Sequence, residues 1–199
     1  MVARARFALG AMYCLIAFGQ VIEFDNRGLH YQTLTRRGVT VMFAHMPAHL
    51  REFTILQVAV SNGSSAPYSI RPEDFRFVRN DGSSIQAVSA DEVVNMLLAK
   101  GSRNDVIRLV TAYESGLYGI QRMVSTNGYE LRRQAALAEV QSAKLKAAAA
   151  ASALALVQTR LPAGDSTDGA VFFSTEGKPL TGGHVTVQTN TDTFEFKNE

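Results

Sequence analysis

Cysteine is nearly missing from this chain of 199 residues, and neither sign of charge dominates it. The single cysteine, Cys14, excludes an internal disulfide and a zinc site built from several cysteines. The 20 Lys and Arg against 18 Asp and Glu leave a net charge of +2, far from the clustered basic excess of a typical nucleic-acid-binding protein. We therefore expect no nucleic acid among the partners of this protein.

The motifs of common enzymes are missing as well. The chain has no Gly-x-Ser-x-Gly elbow, no phosphate-binding loop and no dinucleotide fingerprint. The acidic pairs Glu73-Asp74 and Asp91-Glu92 could offer carboxylates for acid–base chemistry, but the first flanks a proline turn and the second begins a helix. We therefore assign no catalytic, cofactor-binding or metal-ligating residues, and we expect no cofactor and no enzymatic activity.

Histidine offers one local pair, His45 and His49, at a spacing that would bring two imidazoles to one metal on a helix. Pro47 lies between them and disfavours a regular helix. His30 and His184 are distant in sequence, so no third ligand stands beside the pair. We interpret the segment as a loop between two strands.

Residues 1–19 have the three-part form of a secretory signal peptide. Two arginines precede an apolar run of about a dozen residues, and Ala17 and Gly19 occupy the −3 and −1 positions of a cut before Gln20. The run is shorter than the roughly 20 residues of a membrane span. We predict that the mature protein is extracytoplasmic, either periplasmic or secreted, without a stable membrane span after cleavage.

The pattern leaves other fates of this segment open. It could instead form a buried helix or strand at the start of the fold, or be retained as an anchor. Lipidation of Cys14 is a further alternative, although Tyr13 replaces the small residue that precedes the cysteine of a bacterial lipobox.

Strand patterns extend from about residue 21 to 88 and return after residue 164. Phe53–Val60 is nearly continuous apolar sequence, as in a central strand buried on both faces. The predicted elements follow the order strands, helices, strands, and strands do not alternate with helices. This order predicts antiparallel sheets that contain both early and late strands. The predicted core consists of Phe53, Ile55, Leu56, Val58, Phe75, Phe77, Phe172, Val185, Val187, Phe194 and Phe196.

Helical sequence separates the two strand regions and predicts an insertion over residues 89–161. Ser89 begins a capping box and Gly101 is a C-cap for the first helix. Residues 129–160 contain no glycine or proline and predict one long helix, which Lys144 and Lys146 make unsuitable as a membrane span.

The long helix carries five consecutive alanines, residues 147–151. Small side chains allow close approach, and three surfaces could provide it: a helix from residues 89–117, a second copy of the chain, or the sheet. We predict a protein partner or self-association through this alanine-rich helix. A bulky residue at Ala148 or Ala151 should then disrupt association more than it lowers the melting temperature.

Two stretches together resemble the telokin-like, immunoglobulin-type β-sandwich domains of secreted bacterial proteins of unknown function. A long apolar strand ends in an Asn turn and is followed by a proline–acid–aromatic strand; later, a proline–glycine–acid turn precedes a Val/Phe strand. The segments are Phe53–Asn62, Pro67–Ile70, Pro72–Phe75, Asp81–Gly82, Leu161–Ser166, Gly169–Phe173 and Phe194–Phe196. The resemblance implies an extracytoplasmic location and a binding or structural role.

These observations predict an α+β protein with a signal peptide at 1–19. Residues 20–199 would form a single immunoglobulin-like antiparallel β-sandwich domain with a long helical insertion between early and late strands. We expect an exported, non-enzymatic protein that acts in protein–protein interaction or cell-envelope assembly. The alternative is a ligand- or metal-binding enzyme with its site between the sandwich and the helical insertion.

Overall fold

The computed structural model describes residues 19–26, 28–105, 107–108 and 142–197. The predicted signal peptide up to residue 18, Cys14 and the helical sequence of residues 109–141 lie outside this range. The helices are α1 (Ala90–Lys100) and α2 (Ala143–Leu154), with a 3₁₀ turn at Pro72–Asp74. The strands are β1 (Ile22–Asn26), β2 (Leu29–Arg36), β3 (Val39–Leu50), β4 (Phe53–Asn62), β5 (Tyr68–Ile70), β6 (Phe75–Arg79), β7 (Ser84–Val88), β8 (Thr159–Leu161), β9 (Ser166–Ser174), β10 (Gly183–Gln188) and β11 (Thr193–Phe196).

Nine of these strands form one antiparallel sheet in the order β1-β2-β3-β4-β9-β7-β6-β10-β11, and β5 pairs with β8 beside it. The large sheet curls, so that β11 near one edge lies against β2 near the other. The pairings β4–β9, β7–β9 and β6–β10 confirm the prediction that early and late strands share a sheet. The described part of the chain is thus predominantly antiparallel β-structure with few helices.

The two faces of the curled sheet bury separate apolar cores, because side chains alternate along each strand. On β4, Leu56 and Val58 point into the inner core, which the curl encloses and the β5–β8 pair covers at one end. Phe53 and Ile55 point outwards, where α1 and α2 cover them. Every residue of the predicted core is buried, which confirms that prediction.

The long helix ends earlier than its sequence predicts. It stops at Leu154 rather than near residue 160, and Thr159–Leu161 is strand β8. The amide of Leu156 donates to the Ala170 carbonyl at 2.9 Å, and a Cβ on Gly169 would overlap the Leu156 backbone. Tertiary pairing with the sheet therefore overrides the helix propensity of this segment.

The alanines of α2 pack within their own chain. Ala148 and Ala151 belong to the outer core together with Val93 and Leu97 of α1 and with the sheet. Of the three surfaces that the sequence left open, α1 contacts this helix, and the outward face of the sheet belongs to the same apolar core. Association through Ala148 or Ala151 stays a prediction, but both side chains are almost fully buried in the single chain. No described helix is long and apolar enough to cross a membrane.

Candidate functional site

A cleft of about 500 Å³ opens where the two ends of the curled sheet meet. We call it the seam cleft. Strands β2 and β3 form one wall and β10 and β11 the other. Its polar lining comprises His30, Gln32, His45, Asn80, His184 and Lys197. This volume lies within the roughly 300–1,000 Å³ of ordinary ligand sites.

Three of the four histidines of the chain line this cleft. Tyr31 on β2 pairs with Ala44 on β3. Continuing that antiparallel register by one position sets His30 across from His45. His184 comes from β10 on the opposite wall. The curl therefore brings together three imidazoles that lie far apart in sequence.

The predicted loop at His45 and His49 is wrong, because both residues belong to β3. The register of β3 against β4 is irregular between them: His45 pairs with Leu56, whereas His49 pairs with Thr54. His45 lines the cleft, while the His49 ring lies 3.4 Å from the Thr54 hydroxyl and outside the lining. Pro47 is accommodated at this irregularity, where a missing amide does not break a regular ladder.

The floor of the cleft is apolar and tightly packed. Phe43 makes edge-on contacts with His45 and with Phe196, at ring-centre distances of 5.7 and 4.8 Å. Phe77 and Val185 complete the buried floor. A Cβ on Gly183 would overlap the Val78 carbonyl, so glycine lets β10 approach β6 closely at the cleft wall. The site thus combines an apolar floor with a polar mouth.

His30 and Lys197 each have an acidic partner at the edge of the cleft. The His30 ring donates from Nδ1 to Asp25 Oδ1 at 2.9 Å, and its Nε2 lies 3.5 Å from Glu23. The hydrogen bond to Asp25 raises the pKa of His30, and the negative charges of Asp25 and Glu23 add to this. Lys197 donates to Glu195 at 2.7 Å.

The pKa values of His45 and His184 are instead lowered. The pKa of His45 is lowered first by partial burial, which penalises the charged ring, and then by the nearby His30. The pKa of His184 is lowered by burial and by the positive charge of Lys197, with Glu195 acting against this. In the free protein, both rings therefore carry less charge near pH 6 than ordinary histidines.

The described residues contain no group of three or more His, Cys, Asp or Glu side chains arranged to hold a metal ion. The chemistry that the cleft offers is hydrogen bonding, with donors on every polar side chain of the lining and acceptors on the neutral imidazoles and the carboxamides. Imidazolium and ammonium N–H groups and the amides of Gln32 and Asn80 can all donate into its mouth.

The acidic pairs singled out in the sequence lie outside the lining of the cleft. Asp74 is buried and accepts hydrogen bonds from the Arg71 backbone and guanidinium at 2.8 to 3.1 Å. The Glu92 amide donates to the Ser89 hydroxyl at 3.2 Å, which caps α1 and confirms the Ser89 half of the predicted capping box.

The seam cleft itself was missed at the sequence level. Alternation along β2 places His30 and Gln32 on one face, but nothing local indicates that β10 lies opposite. Comparison with protein-family models, with curated proteins and with solved structures finds no match for this chain.

Proposed function

We propose that this chain is an exported, non-enzymatic binding protein of protein–protein interaction or cell-envelope assembly, and that its seam cleft binds a carboxylate of a protein partner. One observation carries the proposal. Every ionisable residue among the described residues that line the cleft is a base: His30, His45, His184 and Lys197. A concave site with one sign of ionisable group attracts ligands of the opposite charge.

The geometry of the mouth suits a carboxylate that is attached to an apolar body. Carboxylate oxygens accept charge-assisted hydrogen bonds from ammonium and imidazolium groups, which are stronger than neutral ones. Gln32 and Asn80 supply neutral donors beside them. The hydrocarbon next to the carboxylate would rest on Phe77 and Phe196 at the floor.

His45 and His184 decide the strength of this binding. Lys197 already pairs with Glu195, and His30 pairs with Asp25. Part of the positive charge of Lys197 and His30 is therefore compensated before a ligand binds. His45 and His184 have lowered pKa values. An anion in the cleft favours their protonated forms, so binding is accompanied by proton uptake and strengthens in mild acid.

The proposal also includes a more specific fold type than antiparallel β-structure. We propose an immunoglobulin-type sandwich of the telokin-like kind, exported through cleavage near Gln20 and carrying a long helical insertion. Phe53–Asn62 and Gly169–Phe173, which carry the resemblance, lie mostly in the adjacent central strands β4 and β9. The enzyme alternative places its site between sheet and helices, where the described side chains form a packed apolar layer.

Binding of hexanoate tests the proposal, with hexanamide as a probe of the same length without charge. We expect hexanoate to shift the imidazole C–H resonances of His45 and His184 and hexanamide to bind more weakly. His184→Gln and Lys197→Gln should each weaken hexanoate binding, because each removes a cationic donor. His49→Gln is the matched control, since His49 lies outside the cleft. Equal binding of acid and amide, or equal effects of His184→Gln and His49→Gln, would contradict the proposal.

A further inference from the structure

Strand β1 forms an exposed edge of the large sheet. It stands at the end of the strand order and pairs on one side only, with β2, among the described residues. Ile22 is 61% exposed and Phe24 is 39% exposed, although the Phe24 ring stacks on Tyr31 at 5.2 Å. Exposed edges of this kind pair readily with another extended chain.

The backbone of β1 has a defined set of outward groups. Asn26 and Leu29 pair across a connection of two residues, and such a closing pair exchanges both of its hydrogen bonds. Alternation then directs the N–H and C=O groups of Phe24 and Ile22 towards β2. The N–H and C=O groups of Glu23 and Asp25 point away from the sheet, where an added strand would meet them.

The two faces of β1 differ in chemistry. Glu23 and Asp25 share the face of His30 and Gln32. The Gln32 amide donates to Glu23 at 2.5 Å and His30 to Asp25. Ile22 and Phe24 share the opposite face, towards α1 and α2. An added strand therefore meets two carboxylates on one side and two apolar side chains on the other.

A second copy of the chain is a poor occupant of this edge. If two β1 strands pair antiparallel with Phe24 at the centre, Glu23 of each copy lies opposite Asp25 of the other copy. A pair centred on Glu23 sets two Glu23 side chains opposite each other. Like charges directly opposite destabilise a strand pair.

We propose that the outer edge of β1 takes up, as an added strand, an extended segment of a partner protein with Lys or Arg at alternate positions. The basic side chains lie opposite Glu23 and Asp25, and the residues between them pack beside Ile22 and Phe24. Main-chain hydrogen bonds provide affinity and the alternating side chains provide specificity. This surface adjoins the seam cleft, because Glu23 and Asp25 contact Gln32 and His30 of its lining, but it takes a basic strand whereas the cleft takes a carboxylate.

Peptides of alternating sequence test the proposal on the full chain. The probe is a dye-labelled peptide of alternating Val and Lys, read by fluorescence anisotropy at low salt and at pH 8.5. We expect the double variant Glu23→Lys/Asp25→Lys to weaken binding about tenfold or more. The same variant should gain binding to the matched Val/Glu peptide. Glu52→Lys/Asp91→Lys is the control, since it makes the same change of charge at exposed sites away from β1.

Methylated peptides test the geometry of strand addition. In an antiparallel added strand, lysines opposite Glu23 and Asp25 use their own amides to pair with β1, so N-methylation of the Lys amides should abolish binding. N-methylation of the Val amides should leave it nearly unchanged. Equal loss in both peptides would overturn strand addition. Equal loss in the two charge variants, or a homodimer of the chain that the Val/Lys peptide does not dissociate, would overturn the proposed partner.

Discussion

Replacement of Asn62 by alanine should destabilise the fold more than an ordinary turn substitution. Asn62 ends β4 and is completely buried. Its Nδ2 donates to the carbonyl oxygens of Ala66, Leu161 and Pro162 at 2.8, 3.1 and 3.0 Å. Its Oδ1 accepts from the Ser64 amide at 3.1 Å and from the Ser64 hydroxyl at 2.6 Å. One side chain therefore joins the turn after β4 to the segment after β8.

The magnitude follows from the surroundings of these bonds. The Leu161 bond is buried, so its carbonyl would lose its side-chain donor at a cost of about 1–3 kcal/mol. The other partners are partly exposed, so water can replace much of the bond at about 0.5–1.5 kcal/mol each. These losses are not additive, and we expect about 2–4 kcal/mol in total from Asn62→Ala.

Urea unfolding measures this loss as a lower midpoint with an unchanged slope. Asn62→Asp keeps the volume but cannot donate to three carbonyls, so it should lose at least as much. Asn190→Ala, at an exposed turn position, is the control and should change stability little. A loss in Asn62→Ala no larger than in this control would refute the reasoning.

The remaining predictions concern the outer core. Gln57 is 1% exposed, and both of its side-chain amide atoms have no hydrogen-bond partner among the described residues. Gln57→Met should therefore raise the free energy of unfolding by about 1–2 kcal/mol, and a lower urea midpoint would contradict this. Ala151 is fully buried in the outer core that α1 shares, so Ala151→Leu should lower stability by about 1–3 kcal/mol in thermal unfolding. An unchanged melting temperature with loss of self-association would instead support the interface that the sequence predicts.

Most strands follow from local sequence. The continuous apolar run of Phe53–Val60 marks the central strand β4, and the turn after Arg79 marks the β6–β7 hairpin. The alternating pairs Val185 with Val187 and Phe194 with Phe196 mark the buried faces of β10 and β11. In each case, the pattern of apolar residues or the turn residues that predict the strand lie within a few positions of it in the chain.

The features missed at the sequence level depend on contacts between distant segments. Helix α2 ends at Leu154 because the following backbone pairs with Ala170 and packs on Gly169. The helix propensity of residues 155–160 does not indicate these contacts. The continuation of β3 through Pro47 depends on an irregular register with β4. The seam cleft depends on the curl of the whole sheet, which places β10 opposite β2 and β3.

The acid dependence of hexanoate binding tests the central claim most directly. In the free protein, His45 and His184 have lowered pKa values, so below the ordinary histidine pKa they hold fewer protons than in the unfolded chain. This depresses stability as the pH falls, and a bound anion opposes the effect. We expect hexanoate to raise the pKa of both imidazoles in an NMR titration. Its affinity should increase as the pH falls from 8 to 5.5, approaching about tenfold per pH unit for each proton taken up. Imidazole pKa values that hexanoate leaves unchanged, with an affinity independent of pH, would contradict the account.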